Sequence, residues 1–185
     1  MRNKSQLDGL DSAFRIPHST LVMNDLAETE AFGRRLGELL FPNAVVALIG
    51  PLGAGKTHLV RAIAEGLGVS NSAAVTSPTF VLIQEYPARL PIFHFDAYRL
   101  TGPNEFRELG VDEYYQMGGV CLIEWADRVI DALPAEHLRI EIEPIDESRR
   151  RFRVGACGER YSELCSACSV ASRSVSGDSR NEPLE

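Results

Sequence analysis

Eight consecutive residues, Gly50-Pro51-Leu52-Gly53-Ala54-Gly55-Lys56-Thr57, satisfy the pattern G-x-x-x-x-G-K-[ST], and each fixed position has a use at a polyphosphate. Glycines let the backbone curl so that successive N–H groups point at phosphate oxygens. Lys56 supplies a positive charge for the β- and γ-phosphates, and the Thr57 hydroxyl suits Mg2+. A helix starting at this point adds its positive N-terminal end. The competing reading is a glycine-rich turn that happens to precede a lysine. The chemistry expected is ATP binding with Mg2+ and hydrolysis at the γ-phosphate.

Such a site needs a carboxylate at the end of a neighbouring strand. Two are available: Asp96 after Ile92-Phe93-His94-Phe95, and Glu124 after Val120-Cys121-Leu122-Ile123. Both follow apolar runs, so position leaves open which holds the metal and which orients the attacking water. A cap on the turn after a strand is the plainer use of either. Thr76-Ser77-Pro78-Thr79-Phe80 sets hydroxyls around a rigid proline, as befits a loop that senses the γ-phosphate. Around Asp96, His94 reads most simply as a buried, hydrogen-bonded imidazole and Arg99 as half of a surface ion pair.

These residues require elements to hold them. Ala44 to Ile49 is a continuous apolar run of strand length that enters the glycine loop directly, as strands covered on both faces do. After the loop, Leu59, Ile63 and Leu67 recur at helical spacing up to Gly68. Upstream, Thr20 to Met23 reads as a strand, and Asn24 or Asp25 caps a helix with Phe32, Leu36 and Leu39 or Leu40 on one face. Downstream, Phe80 to Tyr86 and Leu90 to Phe95 read as a hairpin or two neighbouring strands. A helix from Pro103 through Leu109 follows, then a buried strand over Val120 to Ile123, a helical turn through Val129, and strands over Leu138 to Ile142 and Arg151 to Val154. The fold expected is a three-layer α/β P-loop NTPase type, with a mostly parallel sheet and helices on both faces.

At 185 residues and 44% hydrophobic, the chain suits one compact domain. We expect a loose extension over residues 1–18, an ordered domain over 19–155, and a disordered serine-rich tail over 156–185. The net charge of -7 argues against a broad basic surface for nucleic acid, and DNA is not an expected partner. No apolar run approaches the roughly 20 residues of a membrane span, so a cytoplasmic protein is expected. Cys121 reads as a core residue and Cys157, Cys165 and Cys168 as tail thiols, with neither disulfide nor zinc expected.

In order and spacing, Gly50 to Thr57, Ser77-Pro78-Thr79-Phe80, His94-Phe95-Asp96-Ala97-Tyr98-Arg99 and Ile123-Glu124-Trp125 resemble one family across residues 20 to 155. It is the TsaE (YjeE) family of P-loop ATPases of bacterial tRNA threonylcarbamoyladenosine biosynthesis. The resemblance implies that Gly53, Ala54, Gly55, Lys56, Thr57 and His58 hold the ATP phosphates, and that Thr57 and Glu124 ligate Mg2+. Thr79 and Asp96 are then switch and catalytic-support residues beside Lys56. Asp25 or Leu26 and Ser148 or Arg149 fall on the adenine side. The resemblance also implies a partner, the TsaB–TsaD pair that modifies adenosine 37 of tRNAs reading ANN codons, with ATP hydrolysis resetting that complex and tRNA touched only indirectly or weakly.

Two features depart from the family pattern. His58 stands where a second Thr is frequent, and the tail is longer and richer in serine. The cluster Arg149-Arg150-Arg151-x-Arg153 reads equally as a solvated strand edge or a contact for tRNA or a partner. Two other functions share the loop. A small-molecule kinase requires an acceptor pocket and normally an arginine-bearing lid, for which the sequence has no lid-length insertion; a nucleotide-dependent assembly module requires binding without hydrolysis. Weak ATPase activity in isolation is expected, since no arginine is plainly committed to the γ-phosphate.

Overall fold

The structure, a computed structural model, describes residues 18–174. In chain order the elements are β1 (His18–Met23), α1 (Leu26–Leu39), β2 (Ala44–Ile49), α2 (Lys56–Gly66), β3 (Ile83–Tyr86), β4 (Ile92–Asp96) and α3 (Pro103–Glu108). They continue with α4 (Val111–Tyr114), β5 (Val120–Glu124), β6 (His137–Pro144), β7 (Arg150–Cys157) and α5 (Glu159–Ser174). All seven strands form one sheet in the order β1-β7-β6-β2-β5-β4-β3.

The sheet is mixed, not mostly parallel. β6-β2-β5-β4 are parallel neighbours, while β1 on β7, β7 on β6 and β3 on β4 pair antiparallel. The cause lies in the connections. Residues 87–91 and 145–149 are too few for the crossover that a parallel pair requires, so each makes a hairpin.

Burial follows strand position. β4 and β5 are buried throughout and β2 nearly so, as the unbroken apolar runs predict. β7, toward the edge, alternates buried Phe152 and Val154 with exposed Arg153. The two faces of the sheet feed separate cores. Val46, Leu48 and Leu122 pack with Leu36, Leu59 and Ile63 of α1 and α2, whereas Val45, Ala47, Cys121 and Ile123 pack with Phe106 of α3 and Val111 of α4. Helices therefore cover both faces, as expected. No helix among the described residues is long and apolar enough to cross a membrane.

The ordered chain does not stop at residue 155. β7 runs to Cys157 and α5 continues to Ser174, with Tyr161, Leu164 and Cys165 buried against the α1 face. The Tyr161 hydroxyl accepts a 2.8 Å hydrogen bond from the Val45 amide of β2. Three apolar positions at helical spacing suffice to dock the helix although serines separate them. Residues 175–185 of the expected tail, and 1–17 of the expected extension, lie outside the described residues.

β3 is shorter than its hydrophobic sequence suggests. Phe80 and Val81 are 83% and 65% exposed in a turn closed by the Leu82 amide donating to the Pro78 carbonyl at 2.7 Å. Cys121 and Cys157 carry free thiols, and burial pushes the Cys121 thiol up to about 12.

Candidate functional site

The loop between β2 and α2 has the backbone its glycines permit. Gly53 and Gly55 take left-handed φ values of 75° and 105°, and a Cβ on Gly50 would meet the Ile142 carbonyl oxygen at 2.5 Å. Gly55 is the N-cap of α2 and offers no side-chain acceptor, so the first-turn N–H groups of the helix face the loop. Ala54 is buried and His58 exposed.

Lys56 is folded back over this loop. Its ammonium donates to the Gly50 and Pro51 carbonyls at 2.8 and 3.0 Å and lies 3.7 Å from the centroid of the Trp125 ring. Burial lowers its pKa, and the charges of Glu124, Asp127 and Asp96 oppose that shift. Trp125 itself holds a left-handed φ of 59° directly after β5, which turns its ring toward the lysine.

Because β4 and β5 are parallel and in register, their last residues, Asp96 and Glu124, are paired neighbours. Both are 2% exposed. The Thr57 hydroxyl donates to Glu124 at 2.8 Å (Oε1) and 3.0 Å (Oε2), and His94 Nε2 lies 3.0 Å from Oε1. Asp96 belongs to a second set: Oδ2 accepts from Thr79 at 2.8 Å and from Ser77, and Oδ1 accepts from the Tyr98 amide at 2.8 Å. The two carboxylates that sequence position could not rank are thus sorted, Glu124 to the loop threonine and Asp96 to the Ser77–Thr79 turn. Arg99 stacks over Phe80 at 4.2 Å, a cation–π contact instead of the expected ion pair.

The adenine-side candidates reach the same end of the sheet, since Met23 pairs with Arg150 at the start of β7. Their side chains are engaged locally. Asp25 caps α1 by accepting from the Glu28 amide at 2.8 Å. Arg149 Nε donates to Asp146 at 2.6 Å, and Asp146 also accepts from the Ser148 and Arg149 amides. Those bonds, the Arg149 amide first, hold the Asp146 carboxyl down at about 2.

Sequence reasoning missed Arg150. Its Nε donates to the Ala54 carbonyl in the loop at 3.2 Å, and its Nη1 donates to the carbonyls of Asp146, Glu147 and Arg149. It ties the β6–β7 turn to the phosphate loop. All four acceptors are backbone atoms, so nothing in the sequence marks this arginine within its cluster.

Magnesium fits the donor set. Among the described residues no group of three or more His, Cys, Asp or Glu side chains is arranged to hold a metal. A hydroxyl and a carboxylate converging at the N-terminus of α2 are nevertheless the hard oxygen donors that Mg2+ takes when phosphates and water complete its shell.

A strand, a glycine loop with left-handed turns, a helix opening on a lysine–threonine pair and two strand-end carboxylates define a mixed α/β protein of the P-loop kind in sequence signature. The family model described as "Threonylcarbamoyl adenosine biosynthesis protein TsaE" matches residues 23–152, and the chain belongs to the TsaE family. It is 42% identical over 139 residues to the tRNA threonylcarbamoyladenosine biosynthesis protein TsaE of Bacillus subtilis, covering 75% of this chain and 85% of that one. It is 38% identical over 133 residues to the protein of that name from Treponema pallidum, covering 72% and 97%. The crystal structure of Bacillus subtilis YdiB superimposes with a TM-score of 0.72 at 34% identity, covering 85% of this chain and 98% of that one.

Proposed function

We propose that this chain is a P-loop ATPase of the cytoplasmic machinery that makes N6-threonylcarbamoyladenosine at tRNA position 37. In this reading it binds Mg–ATP and hydrolyses it to reset the TsaB–TsaD pair. The observation that carries the reading is the sorting of Thr57 with Glu124 and of Thr79 with Asp96, both carboxylates acting on the Lys56 ammonium. The names of the relatives supply the pathway.

Gly53 to His58 hold the phosphates with their amides. Lys56 exchanges the Gly50 and Pro51 carbonyls for β- and γ-phosphate oxygens, and Thr57 and Glu124 hold the metal. Mg2+, when bound, neutralises charge on those oxygens. Asp96 orients the attacking water through Oδ2, the oxygen that Ser77 and Thr79 now occupy, and accepts its proton there. Because Thr79 adjoins exposed Phe80 and Val81, hydrolysis moves a surface that a partner can read. Asp25, Ser148 and Arg149 border the adenine. TsaB and TsaD supply the transfer chemistry.

The test is reconstitution. Purified TsaB, TsaD, threonylcarbamoyl-adenylate and tRNA are incubated with and without this chain, and modified adenosine is followed over many turnovers. Multiple turnovers that depend on the chain and on ATP are expected; equal yields in its absence defeat the pathway assignment.

A further inference from the structure

His94 lies in the middle of buried β4 and is itself fully buried. Its Nε2 faces Glu124, but its Nδ1 is buried with no hydrogen-bond partner. An unpaired nitrogen in the core carries a desolvation penalty that an aliphatic side chain would avoid. Packing alone gives no reason for an imidazole between Phe93 and Phe95. The use must lie at the other nitrogen.

A carboxylate that ligates a metal can only accept hydrogen bonds, so across the 3.0 Å contact the ring donates from Nε2 to Oε1. Thr57 donates to the same carboxylate from the loop side. Asp96, two residues along β4, is held by Ser77, Thr79 and Tyr98 and shares none of these bonds. We propose that His94 is a positioning residue: its Nε2–H fixes the Glu124 carboxylate beside Thr57 Oγ1, in the orientation that receives a nucleotide-borne divalent cation. This rests on the nucleotide site proposed above.

The experiment compares binding of a non-hydrolysable ATP analogue in EDTA and in Mg2+ for the wild type, His94→Leu and His94→Gln. Removing an outer-shell donor costs about 10- to 100-fold in metal affinity. His94→Leu should lose about that much of the Mg2+-dependent gain while keeping the affinity seen in EDTA. His94→Gln, which retains an N–H donor, should recover most of the gain. A role in folding alone would lower the stability of both variants and leave the Mg2+ gain intact, which overturns the proposal. A wild type with no Mg2+ gain overturns the nucleotide reading itself, and this inference with it. Imidazole 15N shifts of the ligand-free wild type give a readout that no misfolded variant can obscure. A proton on Nε2 is expected, and a bare Nε2 overturns the assignment.

Discussion

The two sides of the phosphate loop are built from opposite materials. Toward β4 and β5, Asp96, Glu124 and His94 are buried and bonded chiefly side chain to side chain. Toward the β6–β7 turn, Asp146, Ser148 and Arg149 are exposed, and Arg150 reaches the loop through carbonyl oxygens. Buried carboxylates hold fixed positions because leaving their bonds unmade is costly. An exposed turn is held by bonds that water can replace. In the proposed reading the first side serves the reaction, where small displacements cost rate, and the second borders a base whose fit needs less exactness.

Four measurements test that contrast, beginning with the largest effect. Asp96→Ala should keep nucleotide affinity and lower turnover by roughly 10²- to 10⁴-fold, the range lost with a positioned base; unchanged single-turnover hydrolysis would remove Asp96 from the chemistry. Lys56→Ala removes charge-assisted bonds, about 1.5–3 kcal/mol, and calorimetry should show ATP binding weakened roughly 10- to 150-fold. On the opposite side, Arg150→Gln should weaken binding only about 2- to 10-fold, the range of ordinary hydrogen bonds, with turnover at saturation preserved. A loss as large as that of Lys56→Ala would show that the β6–β7 turn is as demanding as the buried side.

The smallest effect is a proton titration. The Asp146 carboxyl lies below its ordinary 3.8, at about 2. The folded state binds this proton less readily, so the contribution to the turn is present above 3.8 and disappears as pH falls through about 2. The Arg149 amide resonance should titrate with a midpoint near 2; a midpoint near 3.8 would mean that the turn is not held this way.

What the sequence reveals follows the same division. Lys56, Thr57, Thr79, Asp96 and Glu124, which the structure brings together in two hydrogen-bonded sets beside the glycine loop, stood out because their side-chain types suit polyphosphate chemistry and lie near apolar runs that form β2, β4 and β5. Arg150 did not, because its partners are carbonyls that every residue possesses. The sorting of Asp96 from Glu124 needed the register of two strands, which only the folded sheet supplies. Local hydrophobicity misled at Phe80–Val81, where a turn keeps apolar side chains outside, and serine content misled at α5, which docks through Tyr161, Leu164 and Cys165. The family resemblance carried the reading past composition, but it ended near residue 155, as the match to the family model ends at residue 152.

The bond from the Val45 amide to the Tyr161 hydroxyl has a consequence in time. The partners are 116 positions apart in the chain, and Val45 is the second residue of β2, the strand that feeds the glycine loop. During synthesis the loop and all of its strand emerge long before the residue that satisfies that amide. A nascent chain released from the ribosome only as far as β6 would carry the whole glycine loop on a strand whose Val45 amide is still unsatisfied. The strand behind the glycine loop is therefore completed late, when α5 docks.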